Sequence, residues 1–229
     1  MITDQHLRTL YLSDLTNPDI HHGRTTPKVR HLQPWEAFAP YIKNQPMDVN
    51  PYTQNVWVWS DIHWGHKNII KYTAPHRPFD DVLQMNEALI ANYMNVVGPD
   101  DIVIFGGDIG FMPVQQINTI LNSLPGYKIG IVGNHDIDRR GRVYELDFDE
   151  HLLCRVVNIV DPDDNFNYQL LFTHYPMDSV PDNCHNIHGH IHQYTANDWN
   201  TNICVEHTGC APINLLSLLP AIKQRIQHL

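Results

Sequence analysis

The sequence predicts a layered α/β sandwich with mixed β-sheets, and three observations carry that prediction. From about residue 55, short and wholly apolar segments alternate with helix-patterned ones, as strands covered on both faces do. In the later half, strand-like segments follow one another across turns such as Asp161-Pro-Asp-Asp164, which suits antiparallel or mixed pairing. The 229 residues, 42% hydrophobic and 17% charged, suffice for one large domain with a sizeable core.

Taken in order, residues 1–53 read as an N-terminal arm packed on the domain, and residues 54–229 as the domain itself. Pro18, Pro27, Pro34, Pro40, Pro46 and Pro51 interrupt the arm, and only Thr9–Leu12 is strand-like. Val56–Trp59 is apolar, β-prone and stopped by Ser60-Asp61. Asp80–Val97 reads as a helix: Asp81 and Gln84 have capping-box spacing, and Val82, Met85, Leu89, Tyr93 and Val96 fall on one stripe. Ile102–Phe105 (strand), Val114–Leu124 (helix), Lys128–Val132 (strand) and Leu152–Val160 (strand) follow. Tyr168–Thr173 and Asn202–Val205 are further expected strands, and Leu218–Gln227 is a closing helix.

Composition narrows the function classes. No apolar run approaches the ~18 residues a bilayer span needs. Met1-Ile-Thr-Asp-Gln-His has neither a basic nor an apolar leader pattern, so a cytoplasmic setting is expected. Cys154, Cys184, Cys204 and Cys210 show no CxxC pairing and read as reduced thiols. A net charge of −10 argues against charge-driven wrapping of long nucleic acid. Histidine is in excess: 16 residues against 15 Lys+Arg.

The positions of those histidines carry the chemistry. Val56–Trp59 runs into Asp61-Ile-His63-Trp-Gly-His66, and Ile102–Phe105 into Gly106-Gly107-Asp108. Lys128–Val132 runs into Gly133-Asn134-His135-Asp136, Tyr168–Thr173 into His174, and Asn186-Ile-His188 into Gly189-His190-Ile-His192. Loops at the C-terminal ends of strands converge on one edge of an α/β fold, where sites assemble. Carboxylate, imidazole and amide groups there suit divalent transition metals, and one Asp can bridge two ions ~3.5–4 Å apart. A single Asp-x-His means little. Asp19-Ile-His21-His22 has the same look but follows Asn17-Pro18 rather than a strand, so nothing rigid aims it. Five motifs in order, each placed after a strand, mean far more.

Read together, these motifs resemble the signature of the calcineurin-like metallophosphoesterases, from Val56 to about Pro212. The wording around Ser60–Ile70 is similar to small members in bacteria and their phages. The resemblance implies a four-layer α/β/β/α sandwich with two mixed β-sheets and a site for two divalent metal ions, Mn²⁺ first, with Fe, Zn, Ni or Co as alternatives. It implies that Asp61, His63 and His192 hold one metal, that Asn134, His174 and His190 hold the other, and that Asp108 bridges them. His135 is then the catalytic histidine, with Asp136 positioning it. The implied reaction is hydrolysis of a phosphodiester by in-line attack of metal-bound hydroxide.

Here Asp108 is followed by Ile-Gly-Phe-Met-Pro, so the Asp-Arg-Gly segment that grips phosphate in the protein phosphatases of that superfamily is missing. A nucleotide or cyclic nucleotide is therefore the expected substrate. The rival is a repair-type DNA nuclease, which the acidic charge disfavours; a metal-dead scaffold needs lost ligands, and none is lost. Arg139 and Arg140, close to His135 in a cluster with Arg142, are the first candidates to bind substrate, with Lys67, Lys71 and Arg77 behind them. His66 faces the substrate or supports its own segment, and His188 stands behind the ligands as an ordering neighbour. No membrane partner is expected, and the oligomeric state is left open.

Overall fold

The computed structural model describes residues 40–43, 45–50, 52–160 and 167–228. The expected strand at Thr9–Leu12, the Asp19-Ile-His21-His22 segment and the Asp161–Asp164 turn lie outside them. Among the described residues ten strands form two mixed five-stranded sheets. The first sheet holds β2 (Val56–Trp59), β3 (Ile102–Phe105), β4 (Tyr127–Ile131) and β5 (Glu150–Leu152) in parallel, with β10 (Ile213–Asn214) antiparallel beside β2. The second runs in the order β1 (Met47–Val49), β6 (Arg155–Ile159), β7 (Tyr168–Phe172), β8 (Cys184–His188) and β9 (Asn200–Asn202). Only its β6–β7 pair is antiparallel.

Alternation within the strands builds the core. Val56, Val58, Ile104, Ile129 and Ile131 of the first sheet meet Val157, Ile159, Leu170, Phe172 and Ile187 of the second, all buried. The opposite face of the first sheet presents Trp59, Val103 and Phe105 to α2 (Val82–Val96) and α3 (Val114–Ser123). Asp81 caps α2 by accepting from the Gln84 N–H at 2.9 Å. Its buried stripe is Met85, Leu89 and Tyr93; Val96 points outward and Val97 takes its place inside.

Two expected strands are corrected. Leu152–Val160 is not one strand but β5 and β6, which belong to different sheets. The chain crosses between layers at Leu153-Cys154, a move that hydropathy does not register because both flanks are apolar. Asn202–Val205 is the end of β9 followed by the short helix α4 (Val205–Thr208), which closes on a left-handed Gly209. Sequence reading also overlooked β1, inside the stretch read as arm, and the single-turn helix α1 (Ile69–Tyr72). The closing helix α5 (Leu219–His228) buries Leu219, Ile222 and Ile226 against the core between the sheets.

The outer face of the second sheet is covered by chain rather than by a helix among the described residues. β7 and β8 are parallel, so the segment joining them must cross a face. Met177 and Val180 of that segment lie on Leu171 and Cys184. The Met177 N–H donates to Asn186 Oδ1 at 3.1 Å and Asn200 Oδ1 at 2.9 Å, pinning it down. No helix among the described residues is long and apolar enough to cross a membrane.

Candidate metal centre

β2, β3 and β4 of the first sheet and β7 and β8 of the second all end at one edge, and each loop there begins with the residue types singled out above. The backbone of these loops is strained. Asp61 (φ 55°), His63 (56°), Asp108 (55°), His190 (70°) and His192 (49°) are all left-handed. Such conformations cost about 1–3 kcal/mol each and persist where surrounding structure enforces them. The glycines explain the close approach: a Cβ on Gly189 would overlap Ser60 Oγ and Asp61 Oδ2, and one on Gly133 would overlap Asp108 Oδ1.

Asp61 is fully buried and its two oxygens differ. Oδ2 accepts from Ser60 Oγ (2.6 Å), the His190 backbone N–H (2.8 Å) and the Cys204 thiol (3.1 Å). Among the described residues Oδ1 has no hydrogen-bond partner, and it lies 3.8 Å from His63 Nε2, which has none either. Asp108 Oδ2 is 3.8 Å from the same His63 nitrogen. Buried lone pairs turned on one another without donors fit a cation, since leaving them unmatched is costly. On the far side, Asp108 Oδ1 is 3.5 Å from His174 Nε2, which also lies 2.9 Å from Asn134 Oδ1. His174 Nδ1 is fixed on the Gly106 carbonyl at 2.8 Å, leaving Nε2 to face inward. Asp61–His63–Asp108 and Asp108–His174–His190 are each grouped tightly enough to hold a metal ion, and Asp61–His192–Cys204 is a third such group. Asp108 belongs to two of them.

The electrostatics match this grouping. Burial opposes ionisation of Asp61, but His174, His192 and His63 hold its carboxyl well below the ordinary range. Burial pushes Asp108 up to about 7, with Asp61 and Asp136 adding to the rise against His174. Burial keeps His63 well below its usual value and takes His190 down to about 3, so both are neutral imidazoles with a lone pair to give. For His192 burial acts downward, and the bond to Glu206 at 3.3 Å together with the charges of Asp61 and Glu206 more than offsets it.

The remaining expected residues fall as follows. His135 has a side chain 42% exposed, with Nε2 3.9 Å from Asp108 Oδ2. The Asp136 carboxylate accepts from the backbone N–H groups of Asp108 (2.8 Å), Gly133 (2.8 Å) and Ile109 (3.1 Å), so it locks together the β3 and β4 loops that carry Asp108 and His135. His66 is half-buried and stacks on Phe111. His188 is buried, with Nδ1 on the Gly189 carbonyl at 2.7 Å beneath the loop that carries His190. Arg139 and Arg140 are exposed on a turn closed by the Ile137–Val143 bridge; Lys67, just before α1, and Lys71, in its last turn, are also exposed.

Arg77 is a correction. Read as a substrate-binding cation, it is 1% exposed, paired with Glu206 at 2.7 Å, and donates to the carbonyls of Asp61 and Ile62. It clamps the β2 loop in its left-handed course and, through Glu206, orients His192. Sequence reading also missed Glu206 and assigned Cys204 no part. Cys204 follows β9 at the same edge, beside the Ser60–Cys204 bridge, but no local pattern marks it. All four cysteines are free and buried.

The fold and site together define an α/β protein with a buried cluster of groups able to hold cations at the convergent edge of two sheets. No protein-family model matches the chain. It is similar to the uncharacterized protein MJ1445 of Methanocaldococcus jannaschii, 29% identical over 184 residues, covering 75% of this chain and 93% of that one. It is also similar to the gene 66 protein of Mycobacterium phage L5, 36% identical over 85 residues, covering 36% of this chain and 40% of that protein. Among solved structures, the protein of unknown function AQ665 from Aquifex aeolicus shares the fold. The TM-score is 0.55 at 23% identity, covering 73% of this chain and 99% of that one.

Proposed function

We propose that this chain is a dinuclear-metal phosphoesterase of the calcineurin-like kind, acting in the cytoplasm on a phosphodiester of nucleotide size. The observation that carries the reading is that Asp108 is shared by two ligand groups, Asp61–His63–Asp108 and Asp108–His174–His190. The outer helices α2 and α3 and the two sheets correspond to three layers of that superfamily's α/β/β/α sandwich, and the fourth layer is part of the proposal. Two divalent cations, manganese first, would neutralise the phosphoryl oxygens and make a bound water acidic. Asp61, His63 and His192 would hold one and Asn134, His174 and His190 the other, with Asp108 between them.

His135 has a different task. It is the exposed imidazole at the edge of this cluster, placed to give a proton to the departing ester oxygen. A P–O bond forms to water as the ester P–O bond breaks, and the proton that water loses is matched by the one the alcohol gains. The buried thiols suit a reducing compartment.

The test is hydrolysis of bis-p-nitrophenyl phosphate with Mn²⁺, alongside metal analysis. The native protein is expected to turn over, and His135→Ala to lose most turnover while keeping its metal. Full activity in that variant would remove His135 from the chemistry. Failure of the native protein with Mn²⁺, Fe, Zn, Ni and Co would remove the reading. Efficient degradation of single-stranded or nicked DNA would replace the small substrate with a polymer.

A further inference from the structure

One large side chain at the mouth of this site has no part in holding cations. Phe111 lies three residues beyond Asp108 and is 41% exposed. Its ring is stacked on His66, with centroids 4.1 Å apart at 15°. It lies 4.5 Å from the His135 ring and 5.2 Å from that of His63. The position is rigid: the Phe111 N–H donates to the Trp64 carbonyl at 2.7 Å, and Gly110 bridges Trp64. Tyr72, itself exposed, stands edge-on to His66 at 6.2 Å and extends the row of rings outward.

A buried apolar ring would be ordinary core. A rigidly held, exposed one beside the proton-donating imidazole faces whatever the ester oxygen carries. Arg77, one of the cations expected to bind substrate, is closed off with Glu206, and the rings of Phe111, His66 and Tyr72 give this wall an aromatic surface. Every nucleobase has a face that stacks on such a ring, whatever its hydrogen-bonding edge.

We propose that Phe111, backed by His66, is a stacking platform for a planar base, so that the phosphoester taken here is a nucleotide rather than an aliphatic phosphodiester. This rests on the phosphoesterase reading above. A single base stacked on an aromatic side chain is worth about tenfold in affinity.

The experiment compares binding of AMP with that of ribose 5-phosphate, in which a hydroxyl replaces the base, to the Mn²⁺-loaded protein by calorimetry. The native protein is expected to prefer AMP by about tenfold. That ratio is expected to fall toward unity in both Phe111→Ala and Phe111→Leu, and to be kept by Phe111→Tyr. Equal binding of the two ligands by the native protein, or a ratio untouched by both truncations, overturns the platform. So does a uniform loss for both ligands in Phe111→Ala, which would make Phe111 a mere prop for His135. Bis-p-nitrophenyl phosphate hydrolysis by the same preparation separates the two failures: turnover without base preference sinks only the platform, and no turnover sinks the parent reading.

Discussion

The two halves of the candidate metal centre are built on opposite principles. Around Asp61 and His63 the protein leaves lone pairs bare: Asp61 Oδ1 and His63 Nε2 face each other at 3.8 Å with no donor between them. Around His174 it closes the groups on one another, with Nε2 2.9 Å from Asn134 Oδ1. The first half is held open from outside. Three donors occupy the other oxygen of Asp61, and Arg77 and Glu206 brace its loop and His192 from behind. A cation entering the first half displaces no protein contact, whereas one entering the second competes with a hydrogen bond already made. The difference teaches that preorganisation here is a property of the supporting groups and not of the ligands alone. It predicts that two Mn²⁺ ions bind unequally, the tighter at Asp61 and His63.

The hardest blow to both halves is Asp108→Ala. It is expected to lose both ions together in metal analysis and to cut turnover by on the order of 10³-fold. Two ions retained would show that the halves do not share Asp108.

Arg77→Met strikes only the support of the first half. It strands Glu206 in the interior, and urea denaturation is expected to show a loss of about 3–5 kcal/mol. Arg142→Met, which breaks an exposed pair with Asp138, is expected to leave the denaturation midpoint unmoved. Equal midpoints for the two variants would mean that Arg77 is not the brace.

Glu206→Gln sharpens the comparison further. The amide holds His192 less firmly, so the tighter Mn²⁺ affinity is expected to weaken by about 10–100-fold while the weaker one stays put. A matched loss at both ions would erase the distinction between halves. The smallest effect is reserved for Cys204. Cys204→Val removes one of three donors to Asp61 and is expected to weaken the same ion by up to about tenfold. Cys204→Ser, whose hydroxyl donates to the same oxygen, is expected to cost less; a larger cost would mean that sulfur itself touches the metal.

Much of this was legible in the chain. Val56–Trp59, Ile102–Phe105 and Tyr168–Phe172 declare themselves because both faces of such strands are buried, and residues that are polar directly after such runs stand out. β8 is the counterexample. Cys184-His-Asn-Ile-His188 is buried throughout yet half polar, because Asn186 must bond to the segment crossing above it. β5 and β6 merged for a related reason: hydropathy records burial and not which sheet does the burying.

What the sequence determined by itself was local: which wholly apolar runs such as Val56–Trp59 and Ile102–Phe105 form strands, which residue types sit at their ends, and the order in which Asp61, Asp108, Asn134, His174 and His190 occur. Only the tertiary structure decided how those ends are shared out. It turned Arg77 from a surface cation into a buried clamp, brought Cys204 and Glu206 into the centre, and set Phe111 at its mouth. The physical reason is distance along the chain: Arg77 meets Glu206 across 129 positions and Cys204 meets Asp61 across 143. No periodicity or spacing encodes a contact of that range. It exists only once two sheets have stacked and their loop-bearing edges have come together.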